Sequence, residues 1–350
     1  MMRTYLTIFL FLLLSILSIA QPTMDTVVQI KPVTISSQII VESITPEKLF
    51  VEDYLITENG LLVLGFYTKP KELQLLLLNG QQDVIAKQAS PPFAEKLTKD
   101  CLGNYFVILG QAVQQIEFVN MDFALTGKQS LKDFYTDVAP CIGESANRYY
   151  FEHNYFGDQV KQFSYFHKTL ETSTEVALIA DREKMRQLRE SSNGYLLANS
   201  TDKYDLFFKS GGSKWWEIIW EKEAFYAPID AAMFSAKNHL YLFNHLDGNL
   251  ETFNKKGELQ SSKKIDYHKI RGWRPTIYFD KQTDQAYTRI VKNGKSFVSE
   301  INLETGELFD YTIELPFMYI SNLKVNNGEL YFLYKANGAD DKKTLYKMSL

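Results

Sequence analysis

Five histidines, two cysteines and a scatter of carboxylates are the side chains in this 350-residue chain with which hydrolytic or metal chemistry would begin. A metal site needs several donors converging on one point. His239 and His245 stand six apart across a hairpin, and His153 holds a similar place in its own repeat. Nothing else supplies the remaining ligands, so all five are read as packed or rim histidines, and no metal or cofactor is expected. Cys101 and Cys141 lack the C-x-x-C spacing of a zinc site. They could pair in an oxidising compartment, with two separate buried thiols as the favoured alternative. The Ser-x-Asp-x-Gly box, the Gly-x-Ser-x-Gly elbow, the phosphate-binding Walker loop and the His-Glu-x-x-His pair are all absent.

The elements around these residues repeat. Segments beginning at Asn59, Gly103 and Asn147 are 44 residues apart, and those at His239's neighbour Asn238, Asp284 and Asn327 are 46 and 43 apart. A period near 45 matches a propeller blade of four strands. The first burst in each repeat, such as Leu61–Phe66 or Leu330–Tyr334, is apolar without alternation, as in a strand buried on both faces. The second alternates better, as Phe297, Ser299 and Ile301 do around Glu300, and so lies nearer the rim. Asn-Gly, Asp-Gly and Gly-Glu turns separate the bursts.

The gap from 147 to 238 is 91 residues, about two periods. "SNGYLLANS" (192–200) could open a seventh blade. Against this, "DREKMRQLRE" (181–190) is rich in helix formers, with Met185 and Leu188 on one face, and "KWWEIIWEKEAF" (214–225) also reads as helix. The expectation is an all-β, six-bladed propeller with a helical insertion over about 181–226, seven blades being the alternative. The last repeat stops after a third strand, which would leave an edge open to aggregation. The β-rich stretch 26–43 is expected to supply the missing outer strand and close the ring. Residues 1–20 read as a signal peptide, with Arg3 ahead of an apolar run too short to span a bilayer and Ser18-Ile19-Ala20 at the cleavage site. The remainder, 21–350, is expected to be one domain, periplasmic or secreted, with no later membrane span.

With its "GELYFLY" and "HLYLFN" bursts, and "FYAPI" (225–229) leading into a new blade, the chain resembles secreted bacterial proteins of the six-bladed, NHL-like propeller type over most of 27–350. The resemblance implies a blade architecture and no particular activity, so it assigns no functional residue.

A site is therefore sought on the innermost strands, which line a propeller's central channel. Asp53, Tyr54, Lys99, Asp100, Cys101, Asp137, Cys141, Trp273, Arg274, Tyr319 and Asn322 precede the first bursts. Of these, together with His239, the channel-mouth candidates for binding are Asp100, Asp137, His239, Arg274 and Tyr319. The net charge of −4 gives no basic footprint for nucleic acid. "KWWEIIW" packed over the ring would anchor its tryptophans in a groove; exposed, it would be a partner site. The leading expectation is an exported, monomeric, non-catalytic module that binds a protein, peptide or glycan. The alternative is a periplasmic hydrolase or lyase acting on a polysaccharide or small molecule through groups such as Asp100, His239 and Arg274.

Overall fold

The computed structural model describes residues 40–119, 122–145, 147–200, 209–210, 215–336 and 342–350. Six four-stranded antiparallel sheets follow one another in a ring. Blade 1 is β2 (Phe50–Thr57), β3 (Gly60–Phe66), β4 (Gln74–Leu78) and β5 (Val84–Ala89). Blade 2 is β6 (Ala94–Lys99), β7 (Tyr105–Leu109), β8 (Ala112–Val119) and β9 (Asp122–Ser130). Blade 3 is β10 (Cys141–Ser145), β11 (Arg148–Tyr155), β12 (Val160–His167) and β13 (Thr172–Ala180). Blade 4 is β14 (Ala231–Ser235), β15 (His239–Asn244), β16 (Asn249–Asn254) and β17 (Leu259–Lys264). Blade 5 is β18 (Trp273–Asp280), β19 (Gln285–Lys292), β20 (Lys295–Ile301) and β21 (Leu308–Met318). Blade 6 is β22 (Ile320–Asn326), β23 (Glu329–Lys335) and β24 (Lys343–Ser349), completed by β1 (Val41–Ser43).

That last pairing closes the ring. β1 runs antiparallel to β24, with Val41 opposite Met348 and Ser43 opposite Tyr346. The outer strand of the final blade thus comes from the end of the stretch expected to provide it. The rest of that stretch, and the expected signal peptide, lie outside the described residues.

The unbroken apolar bursts are explained by what each face meets. Leu62 and Leu64 of β3, with Leu75 and Leu77 of β4, pack against Leu97, Val107 and Leu109 of blade 2. Their alternates Val63, Leu76 and Leu78 pack against Tyr331, Leu333 and Leu345 of blade 6. Blade 1 is a slab buried on both sides, so β3 and β4 have no polar face. Similar clusters join blades 3 and 4, 4 and 5, and 5 and 6.

The seam between blades 2 and 3 is built differently. Phe106, Ile108 and Val113 of blade 2 pack on Phe134, which lies in a helical turn. That turn begins at Leu131–Asp133 and widens into a π-helical stretch, Phe134–Val138. It was not anticipated from the sequence. A disulfide joins Cys101, in the turn after β6, to Cys141, the first residue of β10. The alternative of two separate thiols therefore falls.

Buried polar links cross other seams. Between blades 3 and 4, the Lys161 ammonium donates to the Ala231 carbonyl at 2.7 Å while paired with Glu152 at 2.7 Å. Between blades 5 and 6, the Asp280 carboxylate accepts from the Gly328 N–H at 2.7 Å. Burial opposes ionisation of Asp280, but the backbone N–H groups of Gly328, Gln282 and Asn327 and the Thr283 hydroxyl outweigh it and hold its pKa below the ordinary value. A carboxylate with a depressed folded pKa contributes stability that is present above the unfolded value, about 3.9, and is lost as pH falls through the folded one. Asp280→Asn should therefore be less stable than the parent at neutral pH, and the gap should narrow below about pH 4. Urea midpoints measured from pH 7 to pH 3 check this; a gap constant with pH would contradict it.

The insertion is helical, and with it goes the seventh blade. α1 (Arg182–Glu190) is capped by the Asp181 carboxylate, which accepts from the Lys184 N–H at 2.9 Å. α2 (Gly194–Asn199) occupies the stretch that would have opened the extra blade. It crosses so near α1 that a Cβ on Gly194 would sit 1.6 Å from the Leu188 carbonyl oxygen. α3 (Trp215–Phe225) follows. Leu188, Leu197, Ile218 and Tyr226 form a small core beneath the three helices. The Gln159 side-chain amide donates to the carbonyls of Gly157, Tyr226 and Ala227 and ties that core to blade 3.

Candidate functional site

The inner strands are the first of each blade, and β2 packs beside β6, β10 beside β14 and β18 beside β22. A cavity of about 310 Å³ lies among the inner strands of blades 1, 5 and 6, lined by Leu55, Ile56, Tyr278, Phe279, Leu323 and Lys324 among others. Lys324, which lines it, also belongs to a polar network centred on Asp53. Asp53, 4% exposed, accepts from its own neighbour's N–H at Tyr54 and from the Leu97 N–H of blade 2, both at 2.8 Å. It also accepts from the Asn322 side-chain amide of blade 6, and the Lys324 ammonium stands 3.8 Å away. That ammonium donates to the Tyr54 carbonyl and lies over the Tyr54 ring, while the Tyr54 hydroxyl donates to the Asn322 carbonyl at 2.7 Å. Burial draws the Lys324 pKa below the usual amine value, with Asp53 acting in the opposite direction and Lys96 adding to the fall. Asp53 thus holds three blades together.

The five candidates named for the channel mouth lie on separate elements. The Asp100 carboxylate accepts from the Leu102 and Asn104 N–H groups at 2.9 and 2.8 Å and from the Asn104 side chain at 2.7 Å, so it organises its own turn. Asp137 is exposed within the π-helical stretch, ahead of β10 and off the inner strands. His239 begins a second strand and is exposed, its ring 6.1 Å from that of Tyr241. Arg274 is exposed near the start of β18, and Tyr319, 77% exposed, sits between β21 and β22 with a φ of 56°. No hydrogen bond, ion pair or ring contact joins any two of these five among the described residues.

Sequence reasoning placed His245 with the packed histidines, and its surroundings are polar as well as aromatic. Its Nε2 lies 2.9 Å from the Tyr267 hydroxyl and its Nδ1 3.3 Å from Asp230 Oδ1. The rings of His268 and Trp273 pack on it at 5.5 and 4.8 Å. The Trp273 indole N–H donates to the Thr288 hydroxyl at 2.7 Å, which fixes the start of β18. Burial drives the Tyr267 phenol far above its ordinary pKa and, with His245 beside it, lowers that of His268. A phenol so reluctant to ionise and an imidazole walled in by aromatics join blade 4 to the loop entering blade 5. Among the described residues no group of three or more His, Cys, Asp or Glu is arranged to hold a metal ion.

The open surface is on the insertion. Trp216 and Trp220, one turn apart on α3, are 68% and 65% exposed, and Phe225 is 56% exposed. Anchoring of these two tryptophans in a groove of the ring, the favoured expectation, is thus overturned: it is Ile218 that faces inward, at 1%. Trp216, Trp220 and Phe225, with Asn193, Glu217 and Glu221, line a groove of about 630 Å³. The Trp220 and Phe225 rings meet edge to face at 5.7 Å. Glu221 is held in place, accepting from the Ser191 hydroxyl at 2.6 Å and the Asn193 amide at 2.7 Å. Lys222 turns away to Asp158 at 2.9 Å, next to blade 3. The helix is fixed on one side and offers aromatic faces and carboxylates on the other. The apolar residues of α3 surround the helix, so spacing alone did not tell which would face out.

These features define a six-bladed β-propeller with an aromatic groove on a helical insertion. Among solved structures the chain is similar to a luciferin-regenerating enzyme, at 8% identity and a TM-score of 0.44, over 89% of this chain and 95% of that one. It is also similar to virginiamycin B lyase from Staphylococcus aureus, at 12% identity and a TM-score of 0.40, over 89% and 99% of the two chains. A manganese complex of oligogalacturonate lyase matches at 10% identity and a TM-score of 0.40, over 90% and 94%. At such identities and scores the likeness is one of chain path and carries no chemistry across. No family model and no curated protein matches the chain.

Proposed function

We propose that the protein is a non-catalytic binding module, working in the periplasm or outside the cell, which holds a protein, peptide or glycan partner on its helical insertion. The observation that carries this reading is the exposure of Trp216 and Trp220 on a helix whose opposite face is anchored. Large aromatic surface leaves water favourably, and tryptophan is enriched where partners bind most tightly. The groove's volume, about 630 Å³, is in the range of ligand sites. Export is supported by the apolar run at 6–20 and by the Cys101–Cys141 bond, which fits an oxidising compartment.

The alternative hydrolase or lyase would use channel-mouth groups such as Asp100, His239 and Arg274. Asp100 is committed to its own turn, and His239 and Arg274 stand exposed on separate strands. Peptide and glycan arrays probed with the full chain should yield a ligand whose binding weakens at least about 30-fold in the Trp216→Ala/Trp220→Ala variant. Circular dichroism should show the ring intact, since Ile218 and its core are untouched. Binding that the double variant retains in full, or turnover of an arrayed substrate, would overturn the reading.

A further inference from the structure

Building on the binding role assigned to the groove, we infer that its occupant is a basic peptide segment, which lays an arginine or lysine side chain on the exposed faces of Trp216 and Trp220 with its charge toward Glu217 and Glu221. The lining supplies the reason. It carries two carboxylates and no cation among the described residues. Lys222, the cation of α3, is drawn off to Asp158 on the ring side. Glu221 is oriented by Ser191 and Asn193, both of which donate to it, and each of its oxygens keeps a lone pair for a further donor. Glu217 is exposed at the groove's edge.

Indole faces attract cations more strongly than any other side-chain ring, and a guanidinium can stack on one while donating to a carboxylate beside it. Aromatic faces and carboxylates therefore act on the same group. A neutral sugar would use the faces but leave the negative charge without a counterpart. An acidic glycan would be repelled by it. The chain's formal charge of −4 adds to the long-range attraction for a basic segment.

The test follows tryptophan fluorescence of the full chain titrated with four probes: an acetylated, amidated octapeptide of alternating arginine and serine, its citrulline counterpart, its glutamate counterpart, and a neutral chito-oligosaccharide. The arginine peptide should bind tightest. Its affinity should fall about 10-fold in Glu217→Gln, about 10-fold between 50 and 500 mM NaCl, and at least 30-fold in Trp216→Ala/Trp220→Ala. If the citrulline peptide or the sugar binds as well or better and still depends on the tryptophans, the cationic occupant is wrong while the binding role stands. If no probe's affinity changes in the double variant, both fail. Dimerisation that the double variant abolishes would make a second copy the occupant and overturn the inference. Blue-shifted emission from the free chain that reddens on deletion of 201–208 would do the same, in favour of the chain's own segment.

Discussion

Asp53→Ala should lower the free energy of unfolding by about 3–5 kcal/mol, because it removes one member of a buried charged network and leaves the rest without a counterpart. The loss is large because one carboxylate serves three blades. Without it the Leu97 N–H of blade 2 and the Asn322 amide of blade 6 lose their acceptor. The Lys324 ammonium, already pulled toward neutrality by burial, loses the one charge that opposes that pull. Asp53→Asn keeps an acceptor of the same shape but not the charge, and should fall between the parent and the alanine variant. Asp137→Ala, an exposed carboxylate in the π-helical stretch, should leave the urea midpoint where it was. If the Asp53 and Asp137 variants unfold at the same urea concentration, the axial network does not hold the blades as described.

The second large effect is covalent. Cys101 and Cys141 are 40 residues apart in sequence, and cross-linking a loop of that length is worth about 4 kcal/mol by its restriction of the unfolded chain. The position adds a second reason to expect a large effect. Most seams have a direct apolar cluster between blades, whereas blade 2 meets the entry to blade 3 through the Phe134 turn. The bond therefore ties the end of β6 directly to the start of β10. Cys101→Ser/Cys141→Ser should unfold at markedly lower urea than the parent, and the parent in dithiothreitol should match it. The disulfide's structural role would be refuted by a double variant as stable as the oxidised parent.

The blade pattern was readable because it is written locally. Period, turn residues and two-sided apolar bursts all lie within stretches of about 45 residues, and both faces of β3 and β4 do meet other blades. The helices of the insertion were readable from their helix formers, although "SNGYLLANS" left blade and helix both open until Leu197 was seen packed under α1. What escaped was whatever depends on residues far apart in the chain. Asp53 and Asn322 are separated by 269 positions, and neither has a neighbour in sequence that announces the other. The turn made by Asp100 had a local signature. Asp100 with Gly103 three residues on is the pattern of a tight turn, and its carboxylate is used there. Tryptophan exposure on α3 was open because apolar residues surround that helix, and only the position of the ring beneath Ile218 decides which side is wet.

Closure by β1 has a consequence for biosynthesis. Val41–Ser43 are made about 300 residues ahead of their partners in β24. At roughly 5–20 residues per second, the early strand waits on the order of 15–60 s with its hydrogen-bonding edge unmatched. Sheets of the intervening blades can form as they emerge, but no circle exists until Lys343–Ser349 arrive. Closure of the ring is therefore a single long-range latch, and a chain interrupted before β24 would be an open arc with a bare edge on its sixth blade.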